Sequence, residues 1–253
     1  MDTQGVPTLS TQLAIYAADP AGPVPSITAD LETRLQAALS AGRAAWTDLP
    51  LSDEEFLRYL AERLPESTEL SDALEHLHAR DLYLACACAL GKPHALELFE
   101  RYCLSELPAV LSRFSTNKEL HDEVRQAVRE RLFVSKKGER ARIEDYGGRG
   151  SLVGWVRVVA VRLAVDLLRK QGKPTAALEE DVLQSFAIGS DSELRLLSER
   201  YKDDVKVAFR EAFAALSVTE RNLLRLHYLD GLTIDEIAAL KRVHRSTAAR
   251  RIV

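Results

Sequence analysis

Nowhere in this chain do 18 uncharged apolar residues follow one another, so it carries no signal for a membrane-spanning helix. The opening MDTQGVPTLSTQL lacks both a basic start and an apolar core, so no secretory signal peptide is expected. Cysteine is scarce and odd in number, at Cys86, Cys88 and Cys103, which argues against a disulfide framework and for a reducing, cytoplasmic setting. Cys86 and Cys88 stand two apart on an expected helix and so diverge, and with His76, His78 and His94 they make no zinc spacing; no metal site is expected. Aromatics are few, and neither a strand-like alternation nor an internal repeat is evident. A glycine-rich phosphate loop, a serine nucleophile elbow and an H-E-x-x-H pair are all missing. The chain is therefore not expected to be an enzyme or to carry a cofactor.

What is there favours helix. Alanine, leucine, arginine and glutamate dominate, and 253 residues suffice for two domains. The net charge is only −4, but it is unevenly spread. From Asp48 to Asp81 there are ten acidic residues against three basic; from Arg131 to Lys173 there are eleven basic against four acidic. A phosphate backbone responds to the local patch rather than to the total. Each segment on its own also reads as a solvated helix face.

Residues 1–26 are rich in Pro, Gly, Ser and Thr and read as a loop-rich arm. Ile27, Leu31, Leu35 and Leu39 form one helical stripe. Ser52 is placed to cap the next helix, with Asp53, Glu54 and Glu55 in its first turn. A third helix is expected from Ser71 through Leu74, Leu77, Leu82 and Leu84 to Leu90, and Pro93 opens a fourth, long amphipathic run. Further helices fit 106–114 and 117–134, and Leu152–Lys170 is strongly helical after a glycine-rich loop. A linker with Pro174 and Gly189 precedes helices near 193–215, 219–229 and 233–240.

The richest stretch is 216–253. Thr233 and Glu236 have capping-box spacing, Ile234, Ile237 and Leu240 share one face, and Val243 plugs a turn. A second helix then starts near His244 or Arg245 and carries Arg245, Arg250 and Arg251. A short apolar helix propping a short basic one is the geometry that lays a helix in a DNA major groove.

Two segments together resemble a bacterial RNA polymerase sigma factor of the extracytoplasmic-function type. YGGRGSLVGWVRVVAVRLAVDLLRK, at 146–170, resembles the family's promoter-melting part, with Trp155, Asp166, Arg169 and Lys170 at matching places. EIAALKRVHRSTAARRI, at 236–252, resembles its minus-thirty-five reader, with Glu236, Ile237, Ala238, Val243 and Thr247 matching. The order and spacing of the two carry more than either alone. The chain departs from the family at Arg162, where asparagine is frequent, and at His244, where a small polar residue is common. The resemblance covers about 80–253 and implies further basic turns after Val253.

It implies an all-α fold, with a region-two-like bundle over 76–171, a linker over 172–192 and a helix-turn-helix domain over 193–253; residues 1–75 lie outside the resemblance, and their acidic balance and helical periodicity predict a folded helical extension. The expected partners are core RNA polymerase and promoter DNA, with an inhibitory protein as a third candidate and no membrane. Minus-ten contacts are expected from Tyr146, Arg149, Ser151, Trp155, Arg157, Arg162, Arg169 and Lys170. Arginines and lysines, with Arg140 and Arg142, suit phosphates; aromatic rings suit unstacked bases; and glycines at 147, 148 and 150 allow close backbone approach. Trp155 reads equally well as core. Minus-thirty-five contacts are expected from His244, Arg245, Ser246, Thr247, Ala249, Arg250 and Arg251, since arginine grips guanine bidentately. Core-polymerase contacts are expected from Asp122, Glu123, Arg125, Gln126, Arg129 and Phe133. Glu179, Glu180 and Asp181 read either as a nucleic-acid mimic in the polymerase or as a solvated linker. Residues 1–75 read as an extra helical subdomain or as a restraint on the DNA-binding half. Two other functions fit the same features: a helix-turn-helix regulator acting without polymerase, and a helical signalling or scaffold protein.

Overall fold

The structure, a computed structural model, describes residues 7–17, 28–64, 70–112, 115–135, 140–172, 207–208, 211–212, 214–224, 226–227 and 232–252, and the side chains of these except 245, 246, 249 and 250. Every regular element among them is helical, and no helix among them is long and apolar enough to cross a membrane. The chain forms two compact units: Met1–Leu98 with Tyr146–Arg149, and Phe99–Asp145 with Gly150–Val253.

The first unit holds α1 (Leu9–Ala17), α2 (Ala29–Ala45), α3 (Asp53–Ala61), α4 (Leu70–Glu75) and α5 (Ala79–Ala89). Side chains satisfy the helix starts. The Thr28 hydroxyl accepts from the Leu31 amide at 3.1 Å. Ser52 and Glu55 form a reciprocal capping box, at 3.2 and 2.9 Å. The start of α1 is sealed from a distance: the Glu32 carboxylate of α2 accepts from the amides of Leu9 at 3.3 Å and Ser10 at 2.8 Å. Leu31, Leu35 and Leu39, four apart, point inward with Phe56, Leu57, Leu60, Leu82, Tyr83 and Leu84. Fully burying each such leucine contributes about 1.5–3 kcal/mol.

The expected helix from Ser71 to Leu90 is two helices. The His78 amide donates to the Gly148 carbonyl at 2.7 Å instead of back along its own helix, and the chain breaks at 76–78. Residues 76–98 lie with the N-terminal helices in this unit. Helices α2 and α5 approach through Gly42, where an added Cβ would stand 2.5 Å from the Tyr83 ring. Two bonds flank this crossing: the Trp46 indole donates to the Arg80 carbonyl at 2.8 Å, and the Tyr83 hydroxyl to the Leu49 carbonyl at 3.3 Å.

The run opened by Pro93 is also interrupted. Helix α6 (Ala95–Phe99) passes into a π-helical turn at Glu100–Leu104, followed by α7 (Leu107–Leu111). The widened turn coincides with Glu100 being gripped by both arms of Arg129, at 2.7 and 3.1 Å. Arg129 belongs to α8 (Lys118–Phe133), capped by Asn117, whose inner stripe is Leu120, Val124, Val128 and Leu132. A 3-10 turn at Arg142–Asp145 comes before α9 (Leu152–Lys170), which packs on α7, α8 and the π-helical turn. The C-terminal part carries α10 (Val218–Leu224), α11 (Ile234–Lys241) and α12 (Arg245–Ile252).

The tight α2–α5 crossing sets an expected outcome. Gly42→Ala should lower the unfolding free energy by about 1–3 kcal/mol, because the methyl group has no room beside Tyr83. Urea unfolding of the full chain measures it, and a midpoint equal to that of the parent protein would refute the crossing as drawn.

Candidate nucleic-acid interface

The α9 region is built from its N-cap. The Ser151 hydroxyl accepts from the Gly154 amide at 3.1 Å and starts the helix, so Ser151 is held by this local role. Leu152, Val156, Ala160, Val161, Ala164, Val165 and Leu168 then form the buried face. Arg169 and Lys170 end the helix in solvent, where the negative end of the helix dipole favours them; Asp166 stands 4.0 Å from Arg169. Trp155 is half-buried and Arg149 exposed. Around Gly147 and Gly150 an added Cβ would meet no atom within 4 Å.

Other expected contacts turn inward. Tyr146 is 3% exposed and Arg157 9%, so in this conformation neither offers a surface to a ligand. Arg142 is buried as well, and Arg140 lies 3.7 Å from Glu144. The Arg162 guanidinium donates to the carbonyl of His227 at 2.9 Å, so it is directed at protein. Sequence periodicity could not separate these arginines from Arg149, Arg169 and Lys170. A long side chain on an apolar face can bury its stem and still bond to a carbonyl.

On α8, Asp122, Glu123 and Gln126 are exposed, with Gln126 donating to Glu130 at 3.0 Å. Arg125 is half-buried, its Nε without a hydrogen-bond partner. Arg129 is occupied by Glu100, and Phe133 meets Phe99 edge to face with centroids 4.9 Å apart. These two serve the fold.

The C-terminal segment has its own small core: Leu223, Ile234, Ile237, Ala238, Ala248 and Ile252, with Leu226, Leu232 and Val243 against it. The Thr233 hydroxyl accepts from the Glu236 amide at 3.1 Å, and the Glu236 carboxylate accepts from the Thr233 amide at 2.7 Å. Partial burial pushes the Glu236 carboxyl up. The Thr233 donors, with Arg131 and Arg142, outweigh that and hold it below its ordinary value. Leu240, expected on the inner face, is 59% exposed; Ala238 joins the core in its place. Helix α11 stops at Arg242, in the left-handed region at φ 55°, and the Val243 amide reaches back to the Ala238 carbonyl at 3.0 Å. Ala248 and Ile252 fix the inner side of α12, with Thr247 half-buried and His244 and Arg251 exposed. Arg245, Ser246, Ala249 and Arg250 belong to this helix, and their side chains lie outside the described residues. So do Glu179, Glu180 and Asp181.

His227 carries no signal in the sequence as a structural residue, yet it links these parts. Its carbonyl takes the Arg162 bond. Its Nδ1 lies 3.0 Å from the Leu232 carbonyl, which can only accept, so Nδ1 carries the proton. Burial, then Arg142 and Arg162 nearby, bring its pKa down to about 4 despite the Leu232 bond. The unfolded chain protonates this imidazole near 6.5. Stability should therefore be full above about pH 6.5 and decline as the pH falls towards 4, by on the order of 3 kcal/mol in all. His227→Gln should flatten the dependence of urea unfolding between pH 7 and 5. An unchanged slope in that variant would rule out His227 as its source.

Residues 206–253, which contain α10, α11 and α12, match the family model described as Sigma-70, region 4. No curated protein and no solved structure matches the chain. The C-terminal segment is thus similar to the helix-turn-helix region by which sigma-70 factors take part in promoter recognition with RNA polymerase.

Proposed function

We propose that the chain is a transcription initiation factor of the extracytoplasmic-function sigma type with an N-terminal helical extension, acting in the cytoplasm and without enzymatic activity. It binds core RNA polymerase, recognises minus-ten and minus-thirty-five promoter elements, and assists melting. The observation that carries this reading is the Sigma-70 region 4 match on a capped helix-turn-helix. In the same chain and in the family's order, it is preceded by a glycine loop and the tryptophan-bearing α9. In this reading 76–171 holds the polymerase-binding and minus-ten functions, 172–192 is the linker, and 193–253 reads the minus-thirty-five element.

Exposure supports a smaller set of candidates before α9 and at its end. Arg149, Arg169 and Lys170 would meet phosphates, and the half-buried Trp155 would offer a ring edge to an unstacked base. On α8, Asp122, Glu123 and Gln126 present the exposed polar face for polymerase. His244, just before α12, and Arg251 on it are exposed beside the four residues whose side chains are not described.

Full-length protein added to bacterial core polymerase should direct transcription from a defined promoter. The double change Arg169→Ala with Lys170→Ala should leave core binding intact and reduce promoter opening, followed by permanganate reactivity of thymines. It should also lower the log–log salt slope of promoter binding by roughly one to two. Tight, specific DNA binding with no polymerase association would instead identify a regulator acting alone.

A further inference from the structure

The loop Tyr146–Arg149, just before α9, is fastened at two of its carbonyls. Arg63 follows the last turn of α3, with its side chain only 5% exposed. Its Nε donates to the Tyr146 carbonyl at 3.2 Å, and its Nη1 to the Tyr59 carbonyl at 2.6 Å. The guanidinium lies over the Tyr59 ring, 3.2 Å from the centroid. The second fastening is the His78 amide on the Gly148 carbonyl, at 2.7 Å. Gly148 has φ +73°, and an added Cβ would stand 2.9 Å from Leu77 and 3.3 Å from Leu82. Between the fastened carbonyls Gly147 faces open space, and beyond them Arg149 is exposed. The loop therefore has a held side, built from helices outside α9, and an open side made of bare backbone and one cation.

We infer that Arg63 is a positioning residue for promoter opening. It fixes the loop so that the open side, Gly147 and Arg149, receives an unstacked base and its phosphate in the separated DNA strand. The inference rests on the initiation-factor reading above. The chemistry suits that ligand: a glycine backbone lets a base plane approach closely, and an arginine beside it neutralises the phosphate. Arginine suits the holding role because its rigid fork serves two carbonyls at once while its face stacks on an aromatic ring; lysine has a single ammonium point. The N-terminal helices thus take part in the site, although they carry none of the residues expected to touch DNA.

The test uses the full chain with core polymerase and compares the parent protein with Arg63→Ala, Arg63→Lys and Arg58→Ala. Arg58 lies within α3, pairs with Glu54 and covers the Tyr16 ring, away from the loop. Arg63→Ala should bind core as the parent does but form roughly tenfold fewer open complexes, the scale of one lost charged hydrogen bond. Arg63→Lys should fall between, and Arg58→Ala should match the parent. Hydrogen exchange of the free protein, read on the peptide covering 143–151, should speed up in Arg63→Ala. Parent-like opening by Arg63→Ala, unchanged exchange of that peptide, or equal loss of core binding and opening would each overturn the positioning role. If the parent protein itself opens no promoter with core polymerase, the initiation-factor reading fails, and the positioning role fails with it.

Discussion

The second unit depends on one constraint on α9: it must bury a continuous valine, alanine and leucine face and still end in water with two cations. Its inner residues pack on α7, α8 and the π-helical turn. Small alanines at 160 and 164 and β-branched valines at 156, 161 and 165 suit a close-packed face, since each has little side-chain freedom to lose. The partners are shaped to it in turn. Helix α8 offers an aliphatic stripe four residues apart, and the Arg129–Glu100 fork ties α8 to the π-helical turn. This packing leaves the basic end of α9, Arg169 and Lys170, exposed to solvent.

Much of this was legible in the sequence. The span of α9 follows from its apolar period after a glycine-rich loop, the Ser52 cap from the acidic turn behind it, and the Thr233 capping box from spacing alone. What escaped depends on partners far along the chain. The break at 76–78 needs the Gly148 carbonyl, 70 residues away, to take the His78 amide. The π-helical turn accompanies a grip on Glu100 by Arg129, on another helix. Leu240 is exposed because six residues from Ile234 carry it off the inner face, whereas Ala238, four residues on, shares that face with Ile234 and Ile237.

The candidate site shows the same division. Charge patterning marked the basic segment, and the exposed Arg149, Arg169 and Lys170 came from it. Burial of Arg142, Arg157 and Tyr146 had no signature, because a basic or aromatic residue reads alike whether its tip meets water or a carbonyl. His227 was silent for a related reason: a lone histidine among leucines announces neither its tautomer nor the arginine that binds its carbonyl.

The seal on α1 bears on how the chain acquires its shape as it is made. Nine residues of helix are too few to persist alone in water. The carboxylate that satisfies the first amides of α1 belongs to Glu32, which leaves the ribosome well after Leu9 and Ser10. Helix α1 must therefore wait, unformed, until the first turn of α2 has emerged and folded back on it. The beginning of the chain is in this sense among the later parts of its neighbourhood to settle, and its order reports that α2 is in place.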